Sequence, residues 1–390
     1  MSTTELTTGV VVVGGGVAGL SLGNILLRNG ISCIVLETRS REYVEQRQRA
    51  GSLDDDAVRL LRDWGLDEVV EGQEHLGSSE SEGMPLKIEG VTHHWKLTDD
   101  DDEGVFCPQQ VLVRNLIKVF LRDGGDLRFG VEDVELDGLD GQRPVVGFRD
   151  AAGSTTTVDC DVVAGCDGDR GVSRPAMPAT VRTTHSLEHG YAWLSVLADV
   201  AADPPAVLAV HSRGFAAQIT RGANVSRFYL QCPLTDTLEQ WPDERIWSEL
   251  NSRFGEPLPA TGRITDKQLV PIRSVVHSPM SHGRLYLLGD AAHLVSPMSA
   301  KGMSMALHDA DVFARAVIHR AETGDSKLLD AYSDTCLRHV WNTQTSAVAI
   351  TEVMHNAGDA SYEGEFRKQL ARVELGRMID PTGAAQGNPF

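Results

Sequence analysis

Residues Gly9–Glu37, GVVVVGGGVAGLSLGNILLRNGISCIVLE, decide the fold. Gly9–Val13 is a nearly pure β-branched run, the pattern of a buried strand. Gly14-Gly15-Gly16-Val17-Ala18-Gly19 then leads into LSLGNILLRN, a helical pattern that stops at Gly30. ISCIVLE is a second buried strand and ends in Glu37. Strand, turn, helix and strand within about 30 residues form a βαβ unit, the context in which such glycines match a dinucleotide fingerprint. Glycines let the backbone approach a pyrophosphate, and the helix N-terminus adds free N–H groups and positive dipole. A carboxylate such as Glu37 accepts from ribose hydroxyls. A plain glycine-rich turn and an ordinary strand-end carboxylate account for the same residues.

Further along, Gln109–Leu121 reads as helix and Thr155–Ala164 as strand. VVAGCDGDRGVSR places Cys166-Asp167-Gly168 at the end of that strand, with Arg170 and Arg174 nearby. GRLYLLGDAAHLVSPMSAKG places Gly289-Asp290 at the end of another strand, Arg284–Leu288. A helix after Gly302 puts Leu307, Ala310, Ala314, Val317 and Ile318 on one face. Between these, Ala192–Val200, Ala206–His211, Phe215–Thr220 and Ser226–Cys232 are short β-rich runs broken by Pro, Gly and Asn, as expected of a mixed sheet in an inserted domain. Residues near Ser78–Glu103 read as an antiparallel excursion, with the acidic run Asp99–Glu103 as a solvated hairpin tip.

With 390 residues, 41% hydrophobic and 23% charged, the chain has globular composition and length for two packed domains. Thirty-six basic against 55 acidic residues leave −19 at pH 7, which repels a phosphate backbone and argues against a nucleic-acid partner. MSTTELTTG lacks the regions of a signal peptide, and no apolar run approaches the ~20 residues of a membrane span, so the expectation is a soluble cytoplasmic protein. The six cysteines show no CxxC spacing and read as reduced, structural residues. His185 and His189 stand four apart before a strand with no third ligand, so no metal is expected. His293, next to the second Asp, reads as structural rather than as a catalytic base. There is no GxSxG elbow, P-loop or HExxH.

The glycine turn, the DG motif and the GD motif, in this order, resemble the three fingerprints of the FAD-dependent aromatic hydroxylases (group A flavoprotein monooxygenases). REYVEQRQRAGSL (41–53), SRGFAAQITRGANVSRFYLQCPL (212–234), WPDERIW (241–247), PIRSVVHSPMSHGRLYLLGDAAHLV (271–295) and AKGMSMA (300–306) are similar to its para-hydroxybenzoate hydroxylase branch, over about residues 10–345. The resemblance implies an α/β fold: a Rossmann-like FAD-binding domain of residues 1–77, 105–180 and 275–345, a mixed-sheet substrate domain of residues 78–104 and 181–274, and a C-terminal helical segment, 346–390, suited to an interface. It further implies FAD, reduction by NADPH or NADH, oxygen insertion from O2 through a flavin C4a-hydroperoxide, and a possible homodimer.

Carried over residue by residue, Gly14, Gly16, Gly19 and Glu37 would hold the ADP half of FAD. Arg49 and Gln109 would contact its phosphates and ribityl chain, Asp290 a ribityl hydroxyl, and Asp167 stands in the DG fingerprint. Ser299–Gly302 would open a helix whose N–H groups face the flavin's pyrimidine edge, with Lys301 adding charge or remaining solvated. Tyr43, Arg47, Arg49, Arg170 and Arg273 match nicotinamide-donor positions. Thr38 stands where the family has Arg, and Arg170 where it has His, so the choice between NADPH and NADH stays open, with a lean to NADPH. Arg221 and Tyr229 match the carboxylate-binding pair, although Arg221 also fits a domain-interface ion pair.

The pocket departs from the family elsewhere. Ile219 replaces a serine, and Leu208 replaces the tyrosine that takes the phenol proton. The second tyrosine of that relay has no counterpart in GAAQGNPF. Met298 and Ser304 replace a Thr and an Asn beside Pro297, whose carbonyl could face the reacting carbon. Either another group deprotonates the substrate, or the ring is activated by an amino group. The expected activity is hydroxylation of a small hydroxy- or amino-substituted aromatic acid. A tailoring oxygenase for a bulkier natural product, a flavin reductase or sensor without oxygenation, and a non-enzymatic dinucleotide-binding module remain as alternatives.

Overall fold

The computed structural model describes residues 4–47, 51–75, 83–95, 104–258, 261–355 and 362–379. The chain divides into two compact units, one of residues 1–75, 103–186 and 274–345, the other of residues 76–102, 187–273 and 346–390. The acidic run Asp99–Glu103, the tail 380–390 and Arg49 lie outside the described residues.

In the first unit the strand Thr4–Val13 pairs in parallel with Cys33–Glu37 on one side and with Thr155–Gly165 on the other. Asp126–Phe129 extends the parallel sheet beyond Cys33–Glu37, and Leu285–Leu287 extends it beyond Thr155–Gly165. Val10, Val11 and Val12 are fully buried, as the unbroken β-branched run requires of a strand covered on both faces. Each such side chain contributes about 1.5–3 kcal/mol on burial. The cover includes the helices Val17–Arg28, Gln109–Arg122 and Gly302–Thr323, whose apolar residues belong to one core with the sheet. Leu307, Ala310, Ala314 and Val317 are buried on the last of these, and Ile318 packs against the same core.

Register places the functional edge. Val13 lies opposite Gly165, and Gly165 opposite Leu287, so three adjacent parallel strands end level. The chain leaves that edge at Gly14, Cys166 and Leu288, tied by hydrogen bonds from Cys166 N to Val13 O (2.7 Å) and from Leu288 N to Gly165 O (2.9 Å). Carboxyl ends of parallel strands are where open α/β sheets bind ligands.

The second unit is a sheet in the order Thr183–Ala198, Val225–Pro233, Ala216–Gly222, Ala206–Val210, Met84–Ile88, Val91–Trp95, with Ile264–Ser278 beside Thr183–Ala198. From Thr183–Ala198 to Val91–Trp95 the pairings are antiparallel except that of Ala206–Val210 with Met84–Ile88. Leu194, Val196, Val207, Ala209, Ala216, Phe228 and Leu230 form a core with Trp241 and with Ile246, Leu250 and Phe254 of the helix Asp243–Phe254. His185 and His189 lie inside the strand Thr183–Ala198 rather than ahead of one. Among the described residues no three His, Cys, Asp or Glu side chains form a group able to hold a metal, and no helix is long and apolar enough to cross a membrane. All six cysteines are buried and unpaired.

Candidate functional site

Two glycines of the first turn serve close packing. Gly14 has φ 114°, and a Cβ there would stand 2.3 Å from the Cys166 carbonyl oxygen. A Cβ on Gly19 would stand 2.0 Å from the Gly14 carbonyl oxygen. Gly16 differs, because a Cβ there would meet nothing within 4 Å, which leaves open space beside it. The helix Val17–Arg28 starts at that space with neither a side-chain cap nor an acidic residue in its first turn. Its first amides have no carbonyl one turn back to bond, and its dipole is uncompensated, which together make an anion cradle. Glu37 flanks the cradle: Oε2 accepts the Gly15 N–H (2.9 Å) and Oε1 the Arg39 N–H (2.7 Å). A carboxylate has about four acceptor sites, so these bonds orient Glu37 and leave capacity for a ribose hydroxyl. This open cradle fits the ADP part of FAD.

The two aspartates of the later motifs differ in their placement. Asp167 turns into its own loop, where Oδ2 accepts the Ser173 N–H at 2.8 Å and a Cβ on Gly171 would stand 2.0 Å from Cγ. Burial pushes its pKa up, and Oδ1 is buried without a partner. Asp290 is exposed in the single turn Gly289–Ala291. That turn is held from beneath: Asp309 Oδ2 accepts the Gly289 N–H (2.9 Å) and lies 2.7 Å from His293 Nε2, with both side chains buried. Burial disfavours a charged His293, but the adjacent Asp309 carboxylate outweighs it and raises the imidazole pKa. Gly289 itself sits at φ 59°.

Pro297–Ser299 forms one 3-10 turn and Ala300 takes φ 53°, so the α-helix begins only at Gly302. A non-glycine residue in the left-handed region costs energy and is found where a functional turn demands it. The helix Gly302–Thr323 again has no side-chain cap and no acid in its first turn. Pro297 is exposed, while Met298, Ser299 and Gly302 are half-buried. Lys301 Nζ binds Asp54 Oδ2 at 2.7 Å, and Ser304 Oγ accepts the Asp54 N–H at 3.4 Å. Burial opposes ionisation of Asp54, yet the Lys301 contact holds its carboxyl below the ordinary value. Gln109 opens the helix Gln109–Arg122, and its neighbour Gln110 is buried with Oε1 unpartnered. Tyr43 is exposed on the helix Arg41–Gln46, with the Arg39 guanidinium 5.5 Å from its ring centre, and Arg47 caps that helix. Arg170 is exposed in the DG loop, and Arg273 belongs to the second unit.

In the second unit, register brings Leu208, Ile219 and Tyr229 onto one face. Leu208 pairs with Ala217, Ala217 with Tyr229, and Tyr229 with Ser195. Ile219 pairs with Arg227 on the next row of that face, and Arg221 follows at a register shift between Thr220 and Gly222, where the alternation is interrupted. This is the face opposite the core formed by Val207, Ala209, Ala216, Phe228 and Leu230. Leu208 is buried there at 5% exposure. Arg221 donates from Nη1 to Thr220 O (3.1 Å), while its Nε and Nη2 are buried without a partner. Arg227 donates to Ser195 Oγ at 2.7 Å. Trp193 packs against Tyr229 (ring centres 4.8 Å apart) and donates from Nε1 to His355 Nε2 (2.8 Å). His355 is fully enclosed, lies 2.7 Å through Nδ1 from Thr351 O, and stacks on Tyr191. Burial drives its pKa down to about 3, so the ring is neutral.

Sequence reasoning missed Gln110, Asp309, Trp193, Ser195, Arg227 and His355. Alternation along the strands would have found Trp193, Ser195 and Arg227, which share parity with Tyr229. Nothing local marks His355, whose aromatic partners Tyr191 and Trp193 are remote in sequence.

The family described as FAD binding domain matches residues 7–347. Over 385 residues the chain is 33% identical to p-hydroxybenzoate hydroxylase of Acinetobacter baylyi, spanning 97% of this chain and 93% of that protein. Of solved structures, p-nitrophenol 4-monooxygenase from Pseudomonas putida shares the fold at a TM-score of 0.76 and 20% identity, over 97% of this chain and 96% of its own. Aklavinone-11 hydroxylase, solved with FAD and aklavinone, shares it at 0.74 and 18% identity, over 89% of this chain and 69% of its own.

Proposed function

This chain belongs to the FAD-dependent aromatic hydroxylases, and from that premise we propose that it hydroxylates a small, electron-rich aromatic carboxylic acid bearing a hydroxy or amino group. One observation carries the reading: the Nε and Nη2 groups of Arg221 are buried and have no partner. An unpaired buried cation is costly, and a carboxylate meets it with charge-assisted bonds in the geometry a guanidinium fork offers. Tyr229, on the neighbouring strand, supplies a further hydroxyl for the acid. Leu208 and Ile219 give the ring an apolar bed.

The net reaction takes ArH, O2, NAD(P)H and a proton to ArOH, NAD(P)+ and water. FAD supplies the route for two electrons from the nicotinamide to dioxygen. The cradle at Gly16 holds its diphosphate, Glu37 and Asp290 take ribose and ribityl hydroxyls, and the uncapped helix start at Gly302 favours negative charge beside it. NADPH is the reductant we assign, with Tyr43, Arg47 and Arg170 as the groups that meet it.

Titration of the FAD-loaded protein with benzoates, followed by the flavin spectrum, tests the anchor. Loss of a charge-assisted bond costs about 1.5–3 kcal/mol, so Arg221→Ala is expected to weaken acid binding by about tenfold or more. Equal spectral perturbation in both proteins would remove Arg221 from the site. Incorporation of one atom of labelled dioxygen into product rejects a flavin reductase or sensor. If no small acid stimulates nicotinamide oxidation, the apolar Leu208 and Ile219 favour a bulkier arene.

A further inference from the structure

We infer that His355 is a positioning residue of the acid site: it fixes the Trp193 indole, and Trp193 in turn holds the ring of Tyr229. The inference rests on the reading of Tyr229 as a partner of the substrate carboxylate, and all three residues belong to the second unit.

The residues paired directly with Tyr229 are Ala217 and Ser195, too small to hold an aromatic ring in place. The large side chain beside it is Trp193, two residues before Ser195 on the adjacent strand, with ring centres 4.8 Å apart at 49°. Diagonal cross-strand neighbours lie within reach of aromatic rings. Trp193 also stacks on Phe215, at 5.4 Å and 17°. Stacking alone leaves an indole free to slide and turn in its own plane, and a hydrogen bond at its edge stops that motion.

His355 supplies the bond. Trp193 Nε1 and His355 Nε2 are 2.8 Å apart, and because an indole nitrogen only donates, Nε2 carries the lone pair and the imidazole proton sits on Nδ1. From there it donates to Thr351 O at 2.7 Å. Thr351 is among the last four residues of the helix Tyr332–Met354, whose carbonyls have no partner within the helix, so this bond satisfies an orphan acceptor and fixes one tautomer. The imidazole is further packed by Tyr191 (4.6 Å, 15°) and Phe215 (4.7 Å, 40°). Held neutral by burial, it is no acid or base near neutral pH. What it offers is one acceptor lone pair, aimed at the residue that walls Tyr229.

The test measures dissociation constants for 4-hydroxybenzoate from the flavin spectrum of the FAD-loaded protein, at a temperature where circular dichroism shows each variant folded. His355→Leu leaves the buried indole N–H unpaired and is expected to weaken binding about tenfold. His355→Gln keeps an acceptor at the same distance from the backbone and is expected to restore most of that loss. Trp193→Phe keeps a ring and removes the N–H, and is expected to match His355→Leu. Residues that act through one another are non-additive, so in a Tyr229→Phe background His355→Leu should have little further effect. Unchanged binding in His355→Leu or in Trp193→Phe overturns the inference, as does equal loss in His355→Leu and His355→Gln, or full additivity with Tyr229→Phe. Binding that is unchanged in both Arg221→Ala and Tyr229→Phe defeats the carboxylate reading and this inference with it. Loss in those two variants with none in His355→Leu defeats the inference alone.

Discussion

Replacing His293 by Leu probes the pair beneath the GD turn. The substitution strips the Asp309 carboxylate, 0% exposed, of its imidazole partner while the Gly289 N–H at 2.9 Å stays. Removing one member of a buried ion pair costs about 3–5 kcal/mol. In a unit the size of the first, about 2–4 °C of melting temperature accompanies each kcal/mol, so a loss of order 10 °C is expected. The sign with pH is defined. Asp309 raises the His293 pKa, so the pair's extra stabilisation is complete below the unfolded value of about 6.5 and fades as pH rises through the folded value. Melting followed by far-ultraviolet circular dichroism should therefore show a larger gap between wild type and variant near pH 6 than near pH 9. Asp309→Asn, which keeps an acceptor for Gly289 N–H, should lose less and show a flatter pH dependence. A His293→Leu protein that melts with wild type at both pH values, or a gap that widens toward alkaline pH, refutes the reasoning.

Gly19→Ala should yield protein largely without FAD, because its Cβ would stand 2.0 Å from the Gly14 carbonyl and the turn must open; a full flavin complement after purification argues the contrary. Gly16→Ala should leave the melting of the flavin-free protein unchanged while weakening FAD binding, since the added methyl enters only the open space of the cradle. His355, depressed to about 3 by burial, makes the second unit sensitive to acid. As pH falls below about 6.5 the unfolded chain takes a proton that the folded one refuses, costing about 1.4 kcal/mol per pH unit. His355→Gln should flatten an acid titration read by tryptophan fluorescence between pH 6.5 and 4.5, and an unchanged midpoint would show that His355 does not control it.

The strand-turn-helix-strand at Gly9–Glu37 is readable because its determinants are local: β-branched residues buried on both faces, a glycine where φ is 114°, and a helix that begins without a cap. The common face of Leu208, Ile219 and Tyr229 follows from alternation once the strands are known, whereas Arg221 stands at a register shift that breaks it. Asp309 is another matter. It sits in the interior of the helix Gly302–Thr323, twenty positions from the glycine whose amide it holds, and no short-range pattern sets it apart from a solvated helical acid. The helix starts at Gly302 as read, but the separate turn Pro297–Ser299 ahead of it is hidden for a similar reason, because Ala300 adopts a left-handed conformation that alanine does not advertise. Gln110 shows its importance only through a buried oxygen lacking a donor, which is a property of packing.

The concealed thiols bear on durability. Catalysts that reduce dioxygen leak some hydrogen peroxide whenever the organic reactant is missing, and peroxide attacks sulfur as the thiolate. Here burial lifts Cys33 and Cys160 to about 12 and Cys107 and Cys232 to about 11, and it raises Cys166 and Cys336 as well. Idling in air should consume reductant while leaving these six thiols unoxidised.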